Sequence, residues 1–191
     1  MFCNKLNLLK NHIMKKQLLI SGLFLLTIIA TKGLFAQSAN IPVDEDTKLI
    51  TYKEVIQQPG DADKLYLTAI SWVNSFYNNP NEVTTTRDRE NGKLVLDHRF
   101  KIFNIDKSGL KTDAGVIKYN LKLEFKPDRY RYTFTDFNLQ ATSKFPLERW
   151  LNANNSTQYE NFLYQVDTTV NGIIKSIKKG MVPKIEKPDE W

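Results

Sequence analysis

Cysteine is nearly absent from this 191-residue chain, with Cys3 alone, and histidine is almost as scarce, with only His12 and His98. Cys3 and His12 both fall in the first 36 residues, so the rest has no disulfide, no thiolate nucleophile and no cysteine metal site. One imidazole is left for any mechanism, and zinc sites built from several histidines are excluded. The first 36 residues also lack acid: they carry five Lys and no Asp or Glu. Removing them leaves 22 basic residues against 21 acidic ones. A nearly neutral remainder does not have the charge of a nucleic-acid binder.

No apolar run reaches the length of about 20 residues that a membrane span needs. The run without charge from Leu18 to Ala30 is cut short by Lys32. It follows Lys15 and Lys16 and leads to Leu34-Phe35-Ala36 ahead of Gln37, the charged, apolar, small-residue order of a secretory signal. Residues 1–36 are therefore expected to be a signal peptide, with Met14 as an alternative initiator and cleavage near Ala36. A lipoprotein cysteine would stand directly after the apolar run, whereas Cys3 lies before it. The mature protein is expected in the periplasm or outside the cell, without a stable membrane anchor.

What remains is long enough for one domain with a real core, since a domain of about 150 residues buries roughly 70% of its unfolded surface. An apolar share of 41% and a charged share of 25% are those of a globular protein. A polar segment over 37–46 precedes the domain proper, expected over 47–180, and a tail over 181–191 with Pro183 and Pro188 should be extended. No internal repeat or low-complexity linker interrupts it.

Leu49 to Ile56 is rich in branched and aromatic residues and reads as a strand, broken by Gln58-Pro59-Gly60-Asp61. Asp61 is placed to cap a helix whose face carries Leu65, Ala69, Trp72, Val73 and Phe76, and Pro80 ends it. Strands are then predicted over Glu82 to Glu90 and Lys93 to Asn104, joined by a two-residue Asn91-Gly92 turn. After a loop from Ile105 to Ala114 come strands over Val116 to Lys126 and Arg129 to Thr135, joined at Pro127-Asp128. With that turn Phe125 faces Tyr130 and Glu124 faces Arg131, both favourable pairs. Thr157 to Glu160 matches a capping box, and Phe162, Val166, Val170, Ile173 and Ile177 follow at helical spacing up to a left-handed stop at Gly180. A strand, a helix, four antiparallel strands and a helix bury their apolar stripes best as a two-layer α+β domain, both helices on one face of a curved sheet.

Ile41-Pro42-Val43-Asp44, the run Ile50-Thr51-Tyr52-Lys53-Glu54-Val55-Ile56, Trp72 to Tyr77, and Glu90 to Lys93 continuing to Arg99-Phe100-Lys101-Ile102 carry a family likeness. Over positions 41 to 140 the chain resembles a family of exported bacterial domains of unknown function with a TATA-binding-protein-like fold. The resemblance implies export and the element order just derived. It implies no activity, brings no catalytic residues, and fold alone does not imply function.

No catalytic motif, metal site or cofactor-binding pattern stands out, and no cofactor is expected. Asp44, Glu45 and Asp46 lack the glycine and spaced ligands of a calcium loop. Asp61 and Asp63 suit a helix start, and Ser71 and Ser75 have no identifiable base. The two-residue turn would set Thr85 opposite His98 and Arg87 opposite Leu96, a polar patch that could bind an anionic group; a partly buried histidine with a hydrogen-bond partner is the simpler reading. Tyr130, Tyr132 and Trp150 would line any cavity between sheet and helices. The outward face carries Lys93, Arg99, Lys101, Lys118, Lys122, Lys126, Arg129 and Arg131 among Asp88, Asp97 and Glu124, a solvated face or an attractor of polyanions. Nucleic acid is not expected as a partner, because the aromatic residues alternate inward. The expected function is a non-enzymatic exported module that binds a small ligand or a cell-envelope partner. The alternative is a structural or assembly protein of the envelope that self-associates, for example as a homodimer.

Overall fold

Period-two apolar stripes from four segments meet in one antiparallel sheet, and both long helices lie on its apolar side. The computed structural model describes residues 39–141, 143–153 and 156–182. The targeting segment read at 1–36 and the tail from 183 onward lie outside the described residues. The elements are β1 (Tyr52–Gln57), α1 (Ala62–Phe76), α2 (Pro80–Val83), β2 (Thr84–Asp88), β3 (Lys93–Ile105), β4 (Lys111–Lys126), β5 (Arg129–Leu139), β6 (Phe145–Pro146), α3 (Glu148–Leu151) and α4 (Thr157–Gly180). The sheet order is β1-β5-β4-β3-β2, with β6 beside β5. No described helix is long and apolar enough to cross a membrane.

The α+β architecture follows the sequence expectation. Leu94 and Leu96 of β3, Leu121 and Leu123 of β4, and Phe134 of β5 are fully buried on one face. Against them pack Leu65, Ala69, Trp72 and Val73 of α1 and Val166, Val170, Ile173 and Ile177 of α4, all in one core. Each such side chain contributes about 1.5–3 kcal/mol when fully buried. The Asp61 carboxylate caps α1, accepting from the Lys64 amide at 2.7 Å. The Pro127-Asp128 turn has the expected register, with Glu124 opposite Arg131 and Phe125 opposite Tyr130.

Several boundaries moved, each for a local reason. The strand expected over Glu82 to Glu90 shrinks to β2, because Pro80 starts the short helix α2 instead of merely ending α1. The β2–β3 turn is four residues, Arg89–Gly92, not two: the Asp88 carboxylate accepts from the Asn91 amide at 3.0 Å and closes a turn one step earlier. The β3–β4 loop is shorter than expected, at 106–110, because the Asp106 carboxylate accepts from the amides of Ser108 and Leu110. The cap of α4 is Ser156 rather than Thr157, with the Tyr159 amide 3.4 Å from its Oγ.

Gly180 is not a left-handed stop. It is still helical, and the helix ends in right-handed geometry at Met181, which is fully buried. After Phe137 come the end of β5, β6 and α3, and Leu147 and Trp150 of this stretch are buried in the core.

Glycine at 180 has a packing reason: a Cβ there would overlap the Trp72 indole of α1. Gly172, exposed on the same helix, faces open space. Gly180→Ala should therefore destabilise the fold by about 1–3 kcal/mol through overpacking. Gly172→Ala should stabilise it by about 0.5–1 kcal/mol by reducing backbone entropy. Urea unfolding of the two variants should show midpoints moving in opposite directions.

Candidate functional site

Beyond the pair Thr84–Leu96, no described strand pairs with β3 on the side away from β4. This part of its edge is open, and a cavity of about 890 Å³ has walls from both faces of the sheet there. On the helix side stand Phe76 and Tyr77 at the end of α1, Glu82 of α2, His98 and Tyr119. On the outer side stand Asp97, Arg99, Lys118, Asn120, Asp136, Asn138 and Lys144.

The cross-strand register orders the outer wall. Asp97 pairs with Asn120, and in the next row Arg99 pairs with Lys118, which in turn pairs with Asn138 of β5. A bulge in β5 makes the second row possible. Asp136 takes a left-handed φ of 56°, so that Asp136 and Phe137 together oppose Tyr119. Phe137 turns into the core and Asn138 is returned to the outer face, where it is only 8% exposed. Its amide nitrogen donates to the Asp136 carbonyl at 2.7 Å and to the Asp136 carboxylate at 3.1 Å, while its own carbonyl oxygen has no partner among the described residues. Lys144 completes the cluster with an ion pair to Asp136 at 2.7 Å.

On the helix side, His98 is half-buried. Its Nδ1 lies 3.4 Å from the Tyr119 hydroxyl, itself 3.4 Å from that of Tyr77, and the Tyr77 ring meets the imidazole edge-on at 4.7 Å. Burial lowers the His98 pKa, the positive charge of Arg99 lowers it further, and Glu82 opposes both. Burial raises the pKa of Tyr77 and Tyr119, so both phenols stay protonated at neutral pH. On this side of the cleft the imidazole and the two phenols can donate and accept hydrogen bonds, and Glu82 adds a carboxylate. No group of three or more described His, Cys, Asp and Glu side chains could hold a metal ion.

The expected patch of Thr85, Arg87 and His98 does not form. The longer turn moves the register by two residues, so Arg87 faces Leu94 and bonds Asn81 at 2.8 Å, not His98. Thr85 sits in a bulge, its hydroxyl donating to the Val95 carbonyl at 3.2 Å. His98 pairs with Tyr119 instead.

Tyr130, Tyr132 and Trp150 do not line this cavity. All three are core residues. Tyr132 donates to Glu54 at 2.5 Å, and Lys178 of α4 reaches the same carboxylate at 2.7 Å, tying β1, β5 and α4 together. Burial pushes the Tyr130 phenol up to about 12. Trp150 stacks on Tyr159 with ring centroids 5.4 Å apart. Tyr77, Glu82 and Asn138 were not read from sequence as cleft residues. Arg99 and Lys118 were read only as members of the basic face, because their pairing needs the true length of the β3–β4 loop.

A five-stranded antiparallel path with both long helices on one face defines a TBP-like α+β domain. Residues 52–140 match the model of the family described as a domain of unknown function (DUF4468) with TBP-like fold. Two crystal structures are similar to the chain. One is a TBP-like protein from Parabacteroides distasonis, at 13% identity and a TM-score of 0.59, covering 74% of this chain and 96% of that one. The other is a DUF4468 family protein from Bacteroides ovatus, at 12% identity and a TM-score of 0.60, covering 78% and 94%. At these identities the likeness concerns the fold alone. No curated protein matches the chain.

The electrostatics of the helix side can be measured at one nucleus. A proton NMR titration of His98 should give a midpoint below the ordinary 6.5, because burial and Arg99 both disfavour the imidazolium. In Arg99→Gln the midpoint should rise towards that value. A midpoint at or above 6.5 in the unmutated protein would mean that the cleft stabilises positive charge.

Proposed function

We propose that this chain is an exported, non-catalytic module of the cell envelope that binds a small polar ligand in the cleft at the open edge of β3. The observation that carries the reading is the cavity itself: its volume of about 890 Å³ falls within the roughly 300–1,000 Å³ typical of small-molecule sites. Export rests on the basic, apolar and small-residue order of residues 1–36. The non-catalytic character rests on the chemistry around the only imidazole of the mature chain. The imidazole is hydrogen-bonded to the Tyr119 hydroxyl, which is kept protonated and is a poor nucleophile. The solid packing of Tyr130, Tyr132 and Trp150 moves the expected binding surface from the sheet–helix interior to this edge.

A second reading, an assembly element that self-associates, has one observation in its favour. The edge strand β1 presents Val55 at 50% exposure, and an open strand edge is a template for pairing with another chain.

Native mass spectrometry of protein purified from its own host separates the two. The binding reading expects a monomer that retains a small molecule, which Tyr77→Ala or His98→Ala releases without unfolding the protein. A ligand-free dimer that Val55→Lys dissociates would replace it with the assembly reading. N-terminal sequencing of the same sample should begin near Gln37.

A further inference from the structure

We propose that the outer arm of the cleft is an anion site, built by Arg99 and Lys118, for a small ligand carrying two negative charges close together. This inference rests on the reading of the cleft as a binding site and specifies the chemistry it takes. Three observations carry it.

The first is the register. Arg99 and Lys118 are direct cross-strand partners on the outer face, so their side chains start only about 5 Å apart. Like charges in that position destabilise a sheet. Neither residue has an ion pair among the described residues. On the same face three cations have ion pairs: Lys101 pairs with Asp113, while Lys122 and Arg131 share Glu124. Lys126 and Arg129 are also opposed, but they flank a turn that contains Asp128.

The second is position. Both cations line the cavity; of the acids on the same outer side, Asp136 is ion-paired with Lys144, and Asp97 accepts from the neutral Asn120 amide at 2.6 Å, which orients its carboxylate and leaves its charge. Among the described residues Arg99 and Lys118 are the cations of the cavity that no acid pairs with, and Glu82 and Asp97 are its unpaired acids. The third is Asn138, the next residue in the same row, more than nine-tenths buried and lining the cleft, with a carbonyl oxygen that lacks a donor. A bound acid with a hydroxyl, or a bridging water, would satisfy it.

Arginine offers a planar fork and lysine a compact point charge, a combination that suits either a phosphate monoester or a pair of neighbouring carboxylates. The shared chemistry is a dianion. The unliganded protein then keeps two mutually repelling cations in readiness, at some cost in stability, which is a common feature of binding sites.

The test is an NMR titration of the isotope-labelled protein at low ionic strength with inorganic phosphate, malonate, acetate and glucose. The expected result is saturable movement of the Arg99, Lys118 and Asn138 signals with phosphate or malonate, whichever is preferred naming the source of the charge. Acetate should bind more weakly, and added salt should weaken all anion binding. Arg99→Gln and Lys118→Gln should each lower dianion affinity about tenfold, the loss of one charge-assisted hydrogen bond. Without ligand, Arg99→Gln should raise Tm by about 1–4 °C by removing the repulsion. A fall in Tm would make Arg99 a structural member of the sheet and overturn the proposal. So would unchanged affinity in both variants, or dianion shifts confined to Lys126 and Arg129. If glucose or a retained neutral compound occupies the cleft while neither dianion does, the anion site fails and the binding module stands. If nothing occupies the cleft in either experiment, the underlying reading fails as well.

Discussion

Everything in this fold depends on closing one apolar sheet face. β3, β4 and β5 each put large side chains on the same side, and a sheet with one such face must cover it. Water is excluded only when α1 and α4 both lie across it, Trp72 and Val73 from one helix and Val170 and Ile177 from the other. The two helices must then fit each other as well as the sheet. They do so where Gly180 gives way to the Trp72 indole, whose Nε1 donates to Ser176 at 3.0 Å. A glycine that reads as a helix stop is thus a packing residue, and the distinction is invisible without the neighbouring helix.

The same sheet is less complete along one edge. β2 pairs with β3 only as far as Leu96, while β3 continues to Ile105. At its far end the edge is covered by α4: the Gln165 side chain pairs with both the amide and the carbonyl of Phe103, at 2.9 and 2.8 Å, in place of a strand. Between these two protections lies the open stretch around His98 and Arg99 where the cleft forms. A short β2, itself the result of the helical turn at Pro80, therefore accounts for the site as well as for the edge. The β5 bulge at Asp136 supplies the other wall by placing Asn138 beside Lys118.

The two arms of the cleft differ in kind. The helix side has no cation built into it: an imidazole whose pKa burial lowers stands by two phenols that burial keeps protonated, with the Glu82 carboxylate on the same side. The outer side is ionic, and its acids are largely used within the protein. A fold shared with the Parabacteroides distasonis and Bacteroides ovatus proteins fixes neither property, since both depend on particular side chains at particular register positions.

How far these features were legible depends on the range of the interaction behind each. The α+β class, the one-sided stripes, the Asp61 cap and the Glu124–Arg131 pairing were all readable, because each rests on residues at most seven positions apart or on a simple period. The patch of Thr85, Arg87 and His98 was misread because one carboxylate, Asp88, closed its turn early and moved the register by two. A shift of two keeps Arg87 on its face but changes its neighbour. What the amino-acid order decided by itself was which side of each element is apolar. Which residues meet at the cleft was decided only by the assembled sheet: β1 pairs with β5 across a long separation in sequence, and two bulges and a shortened strand set which side chains stand in the same row. Those positions follow from the balance of many weak local contacts, and no single segment contains that balance.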